Sequence, residues 1–235
     1  MAKASLIIPC YNEAENLPLL VSRCAEVFEG EEVEVILVNN GSTDKSADVL
    51  DELTSPYSFI RVENVEVNTG YGDGILAGLR SSKTDLLAWT HADMQTDPAD
   101  LLDGLKFFDT DNENLFVKGK RYGRPFMDVV FTMGMSFFES LFLHQKMRDI
   151  NAQPTIFSRS FFETWQDPPG DFSLDLYAYY QAKVSGLDVQ RFDVRFGDRA
   201  YGTSHWNVSW GEKIKFIKRT LAFSFELRKK LKSNV

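Results

Sequence analysis

His91, Asp93 and Gln95 occupy alternate positions in the stretch WTHADMQTDP, immediately after an apolar run. An aspartate and an amide oxygen at i and i+2 in a short loop are hard ligands. They suit Mg2+ or Mn2+, with phosphate oxygens completing the shell. A neutral histidine beside them can ligate the same ion, or bond a ribose or phosphate instead. The plainer alternative is a polar loop that closes a strand.

Such a loop needs elements to hold it. SLIIP (5–9), VEVILV (33–38), FIRVENVEV (59–67) and DLLAWT (85–90) read as strands, each followed by a polar or glycine-rich turn. Helical spacing covers Glu15 to Phe28, roughly Lys45 to Leu53 with Ser42 or Thr43 as cap, and the stretch from the NTGYGDG turn through Ser81. Pro98 sits at the first turn of a further helix. Four strand–helix repeats predict an α/β fold, a mostly parallel sheet with helices on both faces. Ligands of such sheets bind at the carboxyl ends of the strands, near a switch point in strand order. The turns at those ends are PCYNE, NNGSTD, NTGYG and HADMQ, and all four converge on one rim.

Beyond residue 110, LFVKGKRYG reads as a strand and loop, SLDLYAYYQAKVSG as a helix and LDVQRFDVRF as a strand. The apolar stretch 126–143 reads as a helix serving interface and core, with a lipid-facing groove as the alternative. No linker interrupts the chain, so residues 1–210 read as one domain. Residues 211–235 read as a basic amphipathic helix that either packs on this domain or adsorbs to an anionic membrane surface.

Bulk properties narrow the partners. A net charge of −8 gives no global positive field to attract nucleic acid. The two cysteines, Cys10 and Cys24, lack metal-type spacing and fit buried thiols in a reducing compartment. The N-terminal apolar run is short for a signal peptide, and no later run reaches membrane-spanning length. A cytoplasmic protein, peripheral at most on the cytoplasmic membrane face, is expected.

SLIIPCYNEAENL, VILVNNGSTD, NTGYGDG and HADMQTDP, in this order, resemble family 2 inverting glycosyltransferases of the GT-A fold, a Rossmann-like single domain. KGKRY (118–122), RDINAQPTIFSR (148–159) and RAYGTSHW (199–206) resemble the dolichol- or polyprenyl-phosphate mannose synthase branch and bacterial polysaccharide-pathway relatives.

The resemblance implies donor contacts from Pro9, Tyr11 and Glu13, and from Asn39 and Asn40, which stand where the family usually has aspartates. It also implies that the backbone at Gly70 and Gly72 runs close to the nucleotide. His91 and Ala92 begin the fourth loop, where His91 replaces the family's first acid, and Asp93 and Gln95 match its metal-holding positions. Arg121 resembles a basic residue near the sugar or acceptor phosphate, and Arg199 the late loop over the pyrophosphate, where the planar guanidinium grips two oxygens at once. His205 stands where that branch commonly has lysine.

The implied reaction moves a sugar from a nucleotide-diphosphate sugar, by in-line displacement, to a polyprenyl phosphate or to a glycan hydroxyl. A hydroxyl needs a base, for which Asp171 and Asp175 are the candidates; a phosphate does not. The substitutions at His91, Asn39 and Asn40 motivate a second hypothesis, a non-catalytic nucleotide-sugar-binding module of the same fold.

Overall fold

The computed structural model describes residues 2–108, 114–199, 211, 218 and 220–228. Each of the first four apolar runs is a strand. β1 (Ala4–Cys10), β2 (Val33–Asn40), β3 (Ile60–Val65) and β4 (Leu86–Trp89) alternate with α1 (Leu17–Phe28), α2 (Ser46–Thr54) and α3 (Tyr71–Ser81). The second half adds α4 (Asp100–Leu105), β5 (Leu115–Tyr122), α5 (Phe126–Phe142), β6 (Thr155–Ser158), α6 (Arg159–Phe162), α7 (Leu174–Val184) and β7 (Asp188–Arg195).

The sheet order is β3-β2-β1-β4-β6-β5-β7. β1 pairs in parallel with β2 and β4, whereas β6 runs antiparallel to both of its neighbours, β4 and β5. The chain builds outward from β1 to β3, then crosses back to lay β4 on the other side of β1. That crossing is the switch point at which α/β sheets bind ligands.

Alternation along the strands explains why both faces are covered. Ile7, Ile36 and Val38 point into one core with Leu76 and Leu79 of α3 and Ala178 of α7. Leu6, Ile8, Val35 and Leu37 point into the opposite core with Leu17, Leu20 and Val21 of α1. Successive side chains on a strand face opposite ways, so an uninterrupted apolar run is what a doubly covered strand requires. Both cysteines are buried, and burial pushes both thiols up, as expected of small hydrophobes.

Two local expectations need correction. Ser42 and Thr43 do not cap α2. They bond Asn12, and the Asp44 carboxylate takes the Ser46 N–H at 2.9 Å instead. The stretch 126–143 forms the expected helix but is mostly not core. Phe126, Met133, Phe137 and Leu141 are 65–78% exposed, and only Ser136 and Glu139 of α5 are buried. Hydrophobicity reports how apolar a helix is, and leaves open whether anything covers it.

Among the C-terminal residues, 220–228 are helical and lie against α5. Ser224 Oγ donates to Glu139 Oε2 at 2.6 Å, and the Phe225 ring stands 4.7 Å from Phe142. Most of the basic segment 211–235 lies outside the described residues, as do residues 200–210, His205 among them.

Candidate active site

The carboxyl ends of β1, β2 and β4 and the start of α3 open into one cavity of about 550 Å³, within the range of small-molecule sites. Pro9, Tyr11 and Glu13 line it from the first loop, Asn40 from the second, and Gly70 and Tyr71 from the third. His91, Ala92, Asp93 and Gln95 line it from the fourth, and Asp171, Asp175, Arg121 and Arg199 from the second half of the chain. The convergence expected from four separate turns is therefore realised. Asn39 differs. Its amide turns sideways to Asn64 Oδ1 at 3.0 Å, and it is not part of the cavity wall.

Asp93 is 6% exposed at the foot of the fourth loop. Its Oδ1 accepts the Gln95 N–H at 3.1 Å, and its Oδ2 pairs with Arg199 at 2.8 Å. Between the two ligand candidates Met94 holds φ at +57°, a conformation that side-chain-bearing residues seldom adopt and that recurs at functional loops. Gln95 is fixed by donating its side-chain N–H to the Gly197 carbonyl at 3.2 Å, while Gly197 N–H returns to the Gln95 carbonyl at 2.8 Å. The strand-end loop and the late loop are thus bound to each other.

His91 sits under Tyr71, whose ring is stacked between it and Phe172 at 5.6 and 4.6 Å. Burial lowers the His91 pKa. Asp93 and Asp175 oppose the shift, and Arg121 and Arg199 add to it, so the imidazole is neutral at physiological pH. Burial, with Asp175 and Asp93 nearby, raises Tyr71 well above its ordinary value.

Gly70 lines the cavity and is also closely packed by another part of the chain. A Cβ there would lie 2.1 Å from the Gly170 carbonyl oxygen, and Gly72 faces the same segment, with Pro169 O at 2.6 Å. The Asp73 N–H donates to Gly170 O at 2.9 Å. These glycines admit the loop that carries Asp171 and Phe172 and leads into α7 with Asp175, and so join the third turn to the second half of the site.

Asp175 is 2% exposed in the first turn of α7. Its Oδ1 accepts from Gln153 at 2.7 Å and faces Lys118 Nζ at 3.5 Å. Burial drives the Lys118 ammonium down to about 8, against the pull of Asp175. Arg121, expected to face phosphate, is largely spent on Asp149. Its backbone N–H donates to Oδ2 and its Nε to Oδ1, both at 3.0 Å, with Nη2 also on Oδ1. Arg124 and Arg191 approach the same carboxylate at 3.4 and 3.9 Å. Burial pushes the Asp149 carboxyl up, but the Arg121 hydrogen bond and the arginine charges outweigh it and leave it lowered. Three guanidiniums around one carboxylate leave a local excess of positive charge, and of the three Arg121 and Arg124 reach the cavity. Arg124, Asp149, Lys118 and Gln153 were not singled out from the sequence, because their partners lie far away along the chain.

Among the described residues no three His, Cys, Asp or Glu side chains converge as a metal site. Asp93 and Gln95 still fit a hard cation, since both are oxygen ligands beside a neutral imidazole, and a diphosphate supplies the remaining oxygens.

The strand order and the cavity at its switch point define an α/β scaffold of the GT-A type. Glucosyl-3-phosphoglycerate synthase from Mycobacterium tuberculosis, in complex with UDP, superposes with a TM-score of 0.71 at 15% identity, over 96% of this chain and 79% of that one. A mannosyltransferase from Pyrobaculum calidifontis in complex with GDP-Man and Mn2+ gives 0.64 at 17% identity, over 85% of this chain and 58% of that one. The sequence description "Glycosyl transferase family 2" matches residues 5–165, and the chain belongs to that family.

Undecaprenyl-phosphate 4-deoxy-4-formamido-L-arabinose transferases are similar over a shorter stretch. That of Enterobacter sp. (strain 638) is 37% identical over 102 residues, 42% of this chain and 31% of the relative. That of Photorhabdus laumondii is 38% identical over 104 residues, again 42% of this chain and 31% of the relative. The chain thus spans about a third of the length of these relatives.

Proposed function

We propose that the chain transfers a sugar, with inversion, from a nucleotide-diphosphate sugar to a phosphate-terminated acceptor such as a polyprenyl phosphate. The observation that carries this reading is the buried Asp93 carboxylate at the switch point, paired with Arg199 at 2.8 Å in a cavity that the four strand-end loops line. In the reaction an acceptor oxygen bonds to the anomeric carbon as the carbon–diphosphate bond breaks, and negative charge passes to the leaving group. Arg199 stands ready for that charge, since its Nε is buried without a partner among the described residues. Asn40 Oδ1 is likewise unpartnered and suits a donor group of the nucleoside. Mg2+ or Mn2+, held by Asp93 and Gln95, would neutralise the leaving diphosphate. The relatives named for undecaprenyl phosphate support the acceptor, and the neighbour that holds Mn2+ supports the ion.

A glycan hydroxyl acceptor is the second reading, with Asp175 or Asp171 as base. The pairing of Asp175 with Lys118 and Gln153 favours the phosphate, which needs no base. A screen of nucleotide sugars for Mn2+-dependent hydrolysis and thermal stabilisation tests the transferase. No response to any member sinks it, and stabilisation without hydrolysis leaves a binding module. With a responding donor in hand, Asp175→Asn is expected to keep the transfer rate within about threefold, whereas loss of a general base costs about 10²–10⁴.

Residues 1–210 serve in this reading as the catalytic domain, and 211–235 as a basic helix on the cytoplasmic membrane face. No helix among the described residues is long and apolar enough to cross a membrane. The exposed face of α5 supports surface binding, because every one of its exposed residues is apolar or glycine. Co-sedimentation with vesicles is expected to rise when anionic phospholipid replaces phosphatidylcholine and to fall in Phe137→Ser. Equal recovery from both vesicle types would remove the membrane from the proposal.

A further inference from the structure

The inner side of α5 carries an arrangement that the reaction above does not use. Ser136 and Glu139 lie one turn apart, are 5% and 0% exposed, and both line the cavity. Glu139 Oε2 takes the Ser224 hydroxyl, but Glu139 Oε1 and Ser136 Oγ are buried with no hydrogen-bond partner among the described residues. A buried acceptor left unpaired costs free energy, and a pair of them aimed into one cavity marks where a ligand donates. α5 contains no lysine or arginine to neutralise the carboxylate from within the helix. Burial raises the Glu139 carboxyl to about 6, partly offset by Ser224, so it is ionised at neutral pH.

The position separates this feature from the arginine cluster around Asp149. Thr132, also on the cavity side of α5, holds Arg124 Nη2 at 2.6 Å and so marks the arginine end of the helix. Glu139 stands seven residues further on, a rise of about 10 Å along the helix. A hydrocarbon tail running past this point would leave both acceptors unsatisfied and desolvate the carboxylate further. A hydroxyl or ammonium group would pair them.

We propose that Ser136 and Glu139 form a second subsite that accepts hydrogen bonds from a hydroxyl or ammonium group of the acceptor, one to two turns along α5 from the Arg124–Thr132 contact. This rests on the transferase reading and narrows its acceptor to a phosphate with a polar group along its length. It sets a plain lipid phosphate against a functionalised one.

Hexyl phosphate, 6-hydroxyhexyl phosphate and 6-aminohexyl phosphate are probes of suitable reach, and calorimetry on the full chain measures their binding. At least one of the two functionalised probes is expected to bind about tenfold more tightly than hexyl phosphate, the gain of one good charge-assisted bond. Glu139→Leu abolishes that gain. Glu139→Gln, which keeps an acceptor but no charge, abolishes it for the amine and retains it for the alcohol, and so identifies the group. Ser136→Ala leaves the Ser224 contact intact and reduces the gain in a variant that keeps residues 220–228 attached. The subsite is overturned if hexyl phosphate binds as well as the other two, if none of the three binds, or if the gain survives Glu139→Leu. The probes contain no nucleotide, so these outcomes are independent of the nucleotide-sugar screen, whose failure would instead remove the transferase.

Discussion

Asp93→Asn is expected to lower sugar transfer by about 10²–10³ while leaving the folded structure in place. Asparagine keeps the shape and can still accept the Gln95 N–H that now reaches Asp93 Oδ1 at 3.1 Å, so the loop retains its turn. It loses the charge that balances Arg199 and that would hold a cation against the diphosphate. The loss should fall on the rate and on its Mn2+ dependence, with the melting temperature within a few degrees of wild type. The measurement is donor hydrolysis and transfer across a Mn2+ titration. A variant with near-normal rate and unchanged metal dependence would mean that Asp93 only anchors Arg199. His91 is then the residue to revisit, since it stands two positions earlier on the same loop.

The second large effect concerns stability. Asp149→Ala is expected to destabilise the fold by about 3–5 kcal/mol, the usual cost of removing one partner from a buried charge cluster. The carboxylate serves Arg121 through its backbone and side chain, and Arg124 and Arg191 more loosely, with all four side chains at most 18% exposed. Without it, three guanidiniums face one another with their shared counter-charge removed. Domains of this kind are stable by only about 5–15 kcal/mol in total, so the variant should be partly unfolded at moderate urea. Added pyrophosphate should recover part of the loss, because the freed arginines bind it. Urea denaturation with and without pyrophosphate makes the comparison. A loss under about 1 kcal/mol would show that water replaces the carboxylate adequately.

The first half of the molecule could be read from its sequence because its signals are local. Apolar runs such as SLIIPC and VEVILV fit only strands covered on both faces, and each ends in a turn that marks the rim. Asp93 and Gln95 were recognisable since both sit in one short loop. What escaped notice depends on distant partners. Arg121 is turned to Asp149, 28 residues on, and nothing in KGKRY signals that. Gly70 is small because Gly170 passes over it. The antiparallel β6 is four residues long, and composition does not encode the direction of a strand. The sideways turn of Asn39 likewise depends on Asn64 across the β2–β3 pair.

The ion pair between Asp93 and Arg199 carries a thermodynamic consequence. In the proposed reading a divalent cation at Asp93 would compete with the guanidinium for Oδ2, and a guanidinium so released would be free to meet a diphosphate. Cation and nucleotide would then bind with positive heterotropic linkage, each raising the affinity for the other by the same factor. The ion alone would be held weakly because it competes with an internal cation. The protein would then resist loading with metal until the substrate that needs the metal has arrived.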